Sequence, residues 1–395
     1  MESFLLDWLQ LGVRWLHMIT GIAWIGASFY FVWLNNNVRR PEEPNASDGE
    51  KDGELHAIHG GGFYRVQRYA LAPKELPRDL HWFKWEAYTT WLSGITLLVL
   101  VYYLNPQVYL IDNAIAKIGS WQAIGIGIGF IIAGWIVYDL LQRSPVGKSQ
   151  LAFGTIFFAL VIFAAWYLCQ TFGGRAAYLH IGAMLGTIMV ANVFFVIIPS
   201  QRELVTAKEQ GRAPDKKIAE MAKNRSLHNN YITLPVLFLM ISNHYPMTFS
   251  HPYNWAILAA IALGGALIRH WFNLRGQGKS APWLWAVSAA VFALVIFFTA
   301  PKKAATGAPV AFRDIEVLVG KHCRGCHSEK PTDTIFKVAP NGVKYDTPQQ
   351  ISVMAVKIRQ RAVETTSMPF GNKSNMTKEE RELLGRWIDQ GAKVD

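Results

Sequence analysis

The chain is 395 residues long, carries a formal net charge of +11 and contains three cysteines. Apolar residues make up 51% and aromatic residues 13%, while charged residues reach only 17%, against roughly 25% in an ordinary soluble globular chain. These proportions exclude a single small soluble domain and a disulfide framework, and they assign most of the chain to a bilayer.

No secretory signal is expected at the start, because Glu2 and Asp7 stand where a basic segment belongs and no small-residue cleavage site follows. Eight apolar stretches then read as membrane spans of about twenty residues, the length a hydrocarbon core requires. They run Trp8–Leu34, Glu86–Leu104, Trp121–Leu141, Ser149–Phe172, Ala176–Ile198, Asn229–His244, Tyr253–Phe272 and Trp283–Thr299. Basic residues crowd every second connection. Arg39, Arg40, Lys51, Arg65, Arg68, Lys74, Arg78 and Lys84 lie between the first two spans. Arg143 and Lys148 follow the third, Arg202 to Arg225 holds seven more after the fifth, and Arg275 and Lys279 follow the seventh. The loops on the other side offer only Lys117 and Arg175. This asymmetry is the positive-inside pattern. It explains the net charge without nucleic acid, and it predicts that both termini lie outside the cytoplasm.

The first connection, 35–85, is the largest insertion of the membrane part and is expected on the cytoplasmic side. A polar stretch from Pro41 to Gly53 reads as flexible. Gly60-Gly61-Gly62 followed by Phe63 to Tyr69 reads as a strand or hairpin, the glycines serving as a turn. No Lys-Ser/Thr follows at the spacing of a phosphate loop. Helix-like charge spacing over Arg202–Arg225 predicts one cytoplasmic helix along the lipid headgroups.

Ionisable residues inside a bilayer are functional candidates by default. His17 and His180, each beside glycines that permit close helix approach, are candidate ligands of an intramembrane haem b or other metal. The simpler reading of each is a buried interhelical hydrogen bond. His228 and His270 fall near the inner face, and Asp139, Glu86, Arg14 and Arg269 read as paired charges or interfacial anchors.

A Pro/Ala/Gly linker, 301–312, leads into a polar segment, 313–395, with the character of a small soluble helical domain. Thr347-Pro348-Gln349-Gln350 is a capping box that opens a helix through about Glu364. Thr377-Lys378-Glu379-Glu380 opens a second through Ile388, with Gly391 as a stop. Before them stands Cys323-Arg324-Gly325-Cys326-His327, the C-x-x-C-H signature of covalent c-type haem. Cys323 and Cys326 would form the thioethers, and His327 would bind iron. A zinc site needs four ligands, and the remaining cysteine, Cys169, is far away in an apolar run. Met354, Met368 and Met376 compete for the sixth position. Met368 is preferred because it sits in a loop stiffened by Pro369. The fold expected is all-α: a polytopic bundle of about eight transmembrane helices, 1–300, followed by a small class I cytochrome c domain.

The combination of this membrane part with this haem motif resembles the bacterial membrane-bound, cytochrome c-type urate oxidases (urate hydroxylases). The resemblance runs along essentially the whole chain. It is carried by Trp15 to Phe31, by His59-Gly60-Gly61-Gly62-Phe63-Tyr64, by Leu80 to Tyr88 with Trp82 and Trp85, and by the segment from Cys323 to Met368. It implies a bacterial inner-membrane enzyme that oxidises urate to 5-hydroxyisourate with oxygen from water. Electrons would leave through haem c to a soluble cytochrome c or terminal oxidase, without hydrogen peroxide. Urate is an anion near neutral pH, so Arg65, Arg68, His81 and Lys84 of the first connection, among aromatic rings, are its candidate site. Electrons would then cross a hydrocarbon core of about 30 Å, which calls for an intermediate carrier. Binding at the outer face would need none. The rival readings are a non-catalytic membrane electron carrier and a quinol-linked haem oxidoreductase subunit.

Overall fold

A computed structural model describes residues 2–39, 51–69, 73, 75–300 and 307–394. Helices dominate these residues. They run α1 (Glu2–Asn37), α2 (Trp85–Leu98), α3 (Pro106–Tyr109), α4 (Ser120–Arg143), α5 (Gln150–Cys169), α6 (Gly174–Asn192), α7 (Ile198–Glu209) and α8 (Lys216–Ile241). After these come α9 (Pro246–Phe249), α10 (Asn254–Gly276) and α11 (Trp283–Thr299). Five of the rods are long and apolar enough to cross a membrane: Phe4–Asn37, Ser120–Arg143, Gln150–Cys169, Gly174–Glu209 and Asn254–Gly276. The other three expected spans are helical as well, within α2 with its π turn Val99–Tyr103, within α8 and in α11, but they fall outside that group.

Local chemistry explains where the rods start. Ser149 caps α5 by accepting from the Ala152 amide, and Asp215 caps α8 by accepting from Lys217. α5 is apolar on every side, a pattern compatible with a helix that crosses a membrane. α6 is the central post, packed by α4, α5 and α8. It buries Tyr178, His180, Ile181 and Asn192 among the largest apolar cluster of the molecule.

The strand or hairpin expected from Gly60 onward is present, and it qualifies the all-α fold expected of the chain: β1 (Lys51–His59) and β2 (Gly62–Tyr69) form an antiparallel hairpin with Ile58 opposite Phe63 and Leu55 opposite Val66. Gly60 and Gly61 both take positive φ, +55° and +80°, as the tight turn between twisted strands demands. The expected flexible stretch lies outside the described residues as far as residue 50, and its last three residues already belong to β1. The expectation of one helix over Arg202–Arg225 needs correction. α7 extends α6 beyond the apolar zone, the chain reverses over Gln210–Asp215, and α8 begins at Lys216. Gly211 at positive φ and Pro214 interrupt what the charge spacing alone reads as continuous.

After residues 301–306, which lie outside the described set, comes a small helical unit with its own core. It comprises α12 (Phe312–His322), α13 (Pro348–Val353), α14 (Ala355–Ile358) and α15 (Lys378–Asp389). α12 begins at Phe312, one residue inside the expected linker. Both capping boxes form reciprocally, Thr347 with Gln350 and Thr377 with Glu380. The helix expected through Glu364 breaks at Met354 and resumes as α14 and a π turn, Arg359–Glu364.

Candidate functional site

In the small unit, the turn after α12 brings Cys323, Cys326 and His327 together. The amides of Cys326 and His327 both donate to the Cys323 carbonyl, at 3.2 and 2.9 Å. No disulfide joins the cysteines. Burial pushes the Cys323 thiol up to about 12 and the Cys326 thiol up to about 11, so both stay neutral at physiological pH. The His327 Nδ1–H donates to the Val343 carbonyl at 3.0 Å, which fixes the tautomer and leaves the Nε2 lone pair available. The loop after the π turn supplies Met368, packed against the same core as Cys323. The backbone of Met368 is held on both sides: its amide donates to the Arg361 carbonyl at 2.8 Å, and Arg381 Nη1 donates to the Met368 carbonyl at 2.6 Å. Met376 is buried in the core, and Met354 occupies the break between helices.

That Met368 loop rests on the end of the bundle that carries α3. Phe370 meets Tyr109 edge-on at 5.2 Å, and the Arg175 guanidinium stands 5.9 Å from the centre of the Phe370 ring. Gly371, at φ +59°, lies so close that a Cβ would sit 3.3 Å from the Val108 carbonyl and 3.4 Å from that of Ile111. Between the two parts lies a cavity of about 580 Å³, a volume typical of small-molecule sites. Its walls come from residues 108–115, from 169–176 at the junction of α5 and α6, from 243–254, and from Met368, Phe370 and their neighbours. Tyr178 braces one wall, its hydroxyl donating to the carbonyls of Thr248 and Asn254 at 3.1 and 2.7 Å.

The described residues of the first connection hold the four candidate side chains in different local contacts. Arg65 faces Glu54 across the hairpin with a 2.5 Å ion pair, and Phe63 is 89% exposed. Arg68, in β2, engages in contacts of its own. His81 lies 3.8 Å from Glu86 and edge-on to Phe83, and the Lys84 ammonium stands over Trp85. Arg65, Arg68 and His81 are exposed, and Lys84 is half-buried.

Of the membrane histidines, His17 donates from Nδ1 to the Thr90 carbonyl at 2.9 Å, tying α1 to α2. His180 uses both ring nitrogens. Its Nδ1–H donates to the Ala176 carbonyl at 2.8 Å, and Nε2 accepts from the Tyr103 hydroxyl at 3.1 Å. At the opposite end, Tyr138 donates to His228 Nδ1 at 2.8 Å, and Tyr231 to His270 Nδ1 at 2.6 Å. Asp139 holds Arg143 and Arg225, and Arg269 donates to Asn230 while lying over Phe29. Among the described residues no three His, Cys, Asp or Glu side chains are placed to hold a bare metal ion, the Cys323/Cys326/His327 turn included.

The residue that sequence reasoning passes over is Arg175. Its signal was present: with Lys117 it breaks an otherwise cation-free set of outer loops, directly at the start of a span. Residues 3–300 match the sequence model of the family described as Urate oxidase N-terminal. No curated protein and no solved structure matches the chain. The match covers far more than half of the 395 residues, so the chain belongs to the urate oxidase N-terminal family.

Proposed function

We propose that this chain is an inner-membrane oxidoreductase that converts urate to 5-hydroxyisourate and releases the electrons through a haem c held by residues 313–395. The family match over residues 3–300 carries the substrate. The motif Cys323/Cys326/His327 with Met368 carries the electron exit. The reaction balances as urate plus water giving 5-hydroxyisourate, two protons and two electrons, and no peroxide is formed.

The donor set fits a c-type haem. Two neutral thiols sit in one turn, an imidazole is held by Val343 so that Nε2 is left over, and a methionine lies on a loop where its own amide and carbonyl are both hydrogen-bonded. Cys323 and Cys326 would hold the group covalently, and His327 and Met368 would bind its iron. When bound, it supplies a one-electron acceptor. The chain's own contribution is to fix these ligands and to keep the surroundings dry. Arg381 secures the loop by bonding the carbonyls of Ala362 and Met368 together with the Asn372 side chain. His180, with both nitrogens engaged, does not fit as a ligand in this arrangement, and no step is drawn through a second haem.

The positive-inside asymmetry supports a membrane orientation with α3, α9 and the small unit outside the cytoplasm, which is where c-type haem is attached. The test is anaerobic addition of urate to the purified chain while the haem spectrum is followed. Reduction by urate is expected, with no peroxide on reoxidation by a soluble cytochrome c. Reduction by quinol alone would instead favour a respiratory subunit, and a pyridine haemochrome spectrum lacking haem c would remove the exit route.

A further inference from the structure

We infer that the cavity between α6 and the Met368 loop is the urate-binding site, with Arg175 as its anion-binding residue. This rests on the urate reading above and adds the place and the recognising groups.

The walls of the cavity hold buried polar atoms that nothing in the protein satisfies. Arg175 Nε and Asn243 Oδ1, both on residues that line the cavity, are without hydrogen-bond partners in the protein. Unpartnered buried atoms occur elsewhere in the chain, Arg225 Nε and Arg386 Nε among them, but these two belong to residues lining the same cavity. A ligand in the cavity would supply the missing partners. It must bring an acceptor, preferably anionic, to the guanidinium and an N–H to the Asn243 oxygen. The charge of the walls agrees, with three arginines (Arg175, Arg361 and Arg381) against one carboxylate, Asp112. Arg381 is already committed to the Met368 loop and Arg361 is exposed, which leaves Arg175 as the half-buried cation of the lining. Among the described residues no carboxylate pairs with it. Phe370 and Tyr109 bound the docking contact and give a flat ring something to lie against.

A purine-trione monoanion meets each requirement, since ring N–H groups and carbonyl oxygens alternate around a planar frame. Here urate would sit between Arg175 and Met368, on the small unit's side of the bundle. The problem of moving electrons through about 30 Å of hydrocarbon then does not arise. The exposed, separately engaged residues of the β-hairpin lose their claim to the substrate.

The test uses the full chain in lipid nanodiscs, reduced with dithionite so that bound urate cannot turn over, and measures urate binding by equilibrium dialysis. Arg175→Gln is expected to raise the Kd at least tenfold, with Arg175→Lys recovering part of the loss. Normal affinity in Arg175→Gln, or loss of affinity in Arg65→Gln, overturns the assignment. Ile115, at the cavity wall, gives a readout that leaves the binding groups intact. In Ile115→Cys, saturating urate should slow maleimide labelling several-fold, and an unchanged rate overturns the site even if the Arg175 variants fail to fold. If the unaltered chain binds no urate at all, the urate reading itself falls and takes this site with it. Failure of the site alone shows instead as binding that ignores both Arg175 and the cavity.

Discussion

Two arginines at opposite ends of the bundle show what separates a structural charge from a binding charge. Arg225, in α8, is completely buried, with Nη2 2.5 Å from Asp139 Oδ1 and Nη1 3.4 Å from Asn192 Oδ1. Its guanidinium lies 4.9 Å over the Tyr138 ring, and Tyr138, Asn192 and Asn229 bond one another around it. Arg175, at the start of α6, has an aromatic ring beneath it, a cavity beside it and no carboxylate among the described residues. A charge that serves the fold carries its counter-charge within the protein. A charge that serves a ligand leaves that position open.

The contrast breaks most visibly at the inner end. Asp139→Asn removes the counter-charge and strands Arg225 in a dry interior. Deleting one partner of a buried pair costs about 3–5 kcal/mol, because the remaining ion has neither water nor an opposite charge. Thermal unfolding in detergent should show the loss directly. A variant as stable as the parent would mean that Arg225 is hydrated, and the distinction from Arg175 would then disappear. Next in size is Gly174→Ala, beside the outer arginine. A Cβ there would lie 1.9 Å from the Phe249 carbonyl oxygen, a backbone atom that cannot swing aside. The first turn of α6 must shift, at a cost of about 1–3 kcal/mol, and Arg175 shifts with it. Urate affinity should fall along with Tm. Unchanged affinity would separate Arg175 from the geometry of α6.

How much of this was legible beforehand follows the same division between local and assembled features. The hairpin announced itself through Gly60-Gly61, and both helix starts of the small unit were readable because a capping box is written within four consecutive residues. Thr377→Ala should therefore cost about 1 kcal/mol, read as a small drop in the Tm of the small unit; no change would mean that Glu380 alone holds that start. The π turns and the break at Met354 were not legible, since they depend on how neighbouring elements pack. The cavity was least legible of all. Its walls come from four segments spread from Val108 to Arg381, and no window of sequence contains two of them facing each other. Charge type drew attention to Arg65 and Arg68, yet the fold answers Arg65 with Glu54 across a strand pair. Arg175 drew none, because one cation among apolar residues looks like an anchor until its surroundings are known.

The smallest expected effect is also the sharpest discriminator. Arg175→Gln should change the stability of the unliganded chain by less than about 1 kcal/mol, because the residue lacks an ion partner whose loss would be felt. The difference should emerge only with ligand present. At a urate concentration a hundred times the parental Kd, binding to the native state alone stabilises by about 2.7 kcal/mol, and a tenfold weaker variant gains about 1.4 kcal/mol. Arg225→Gln should behave in the opposite way, with a large loss of stability and an undiminished response to urate. If the two variants lose stability equally and respond to urate equally, the unpaired atoms around Arg175 are a feature of packing rather than of recognition. If they separate as expected, the place left open beside Arg175 is where the substrate supplies the charge that Asp139 supplies to Arg225.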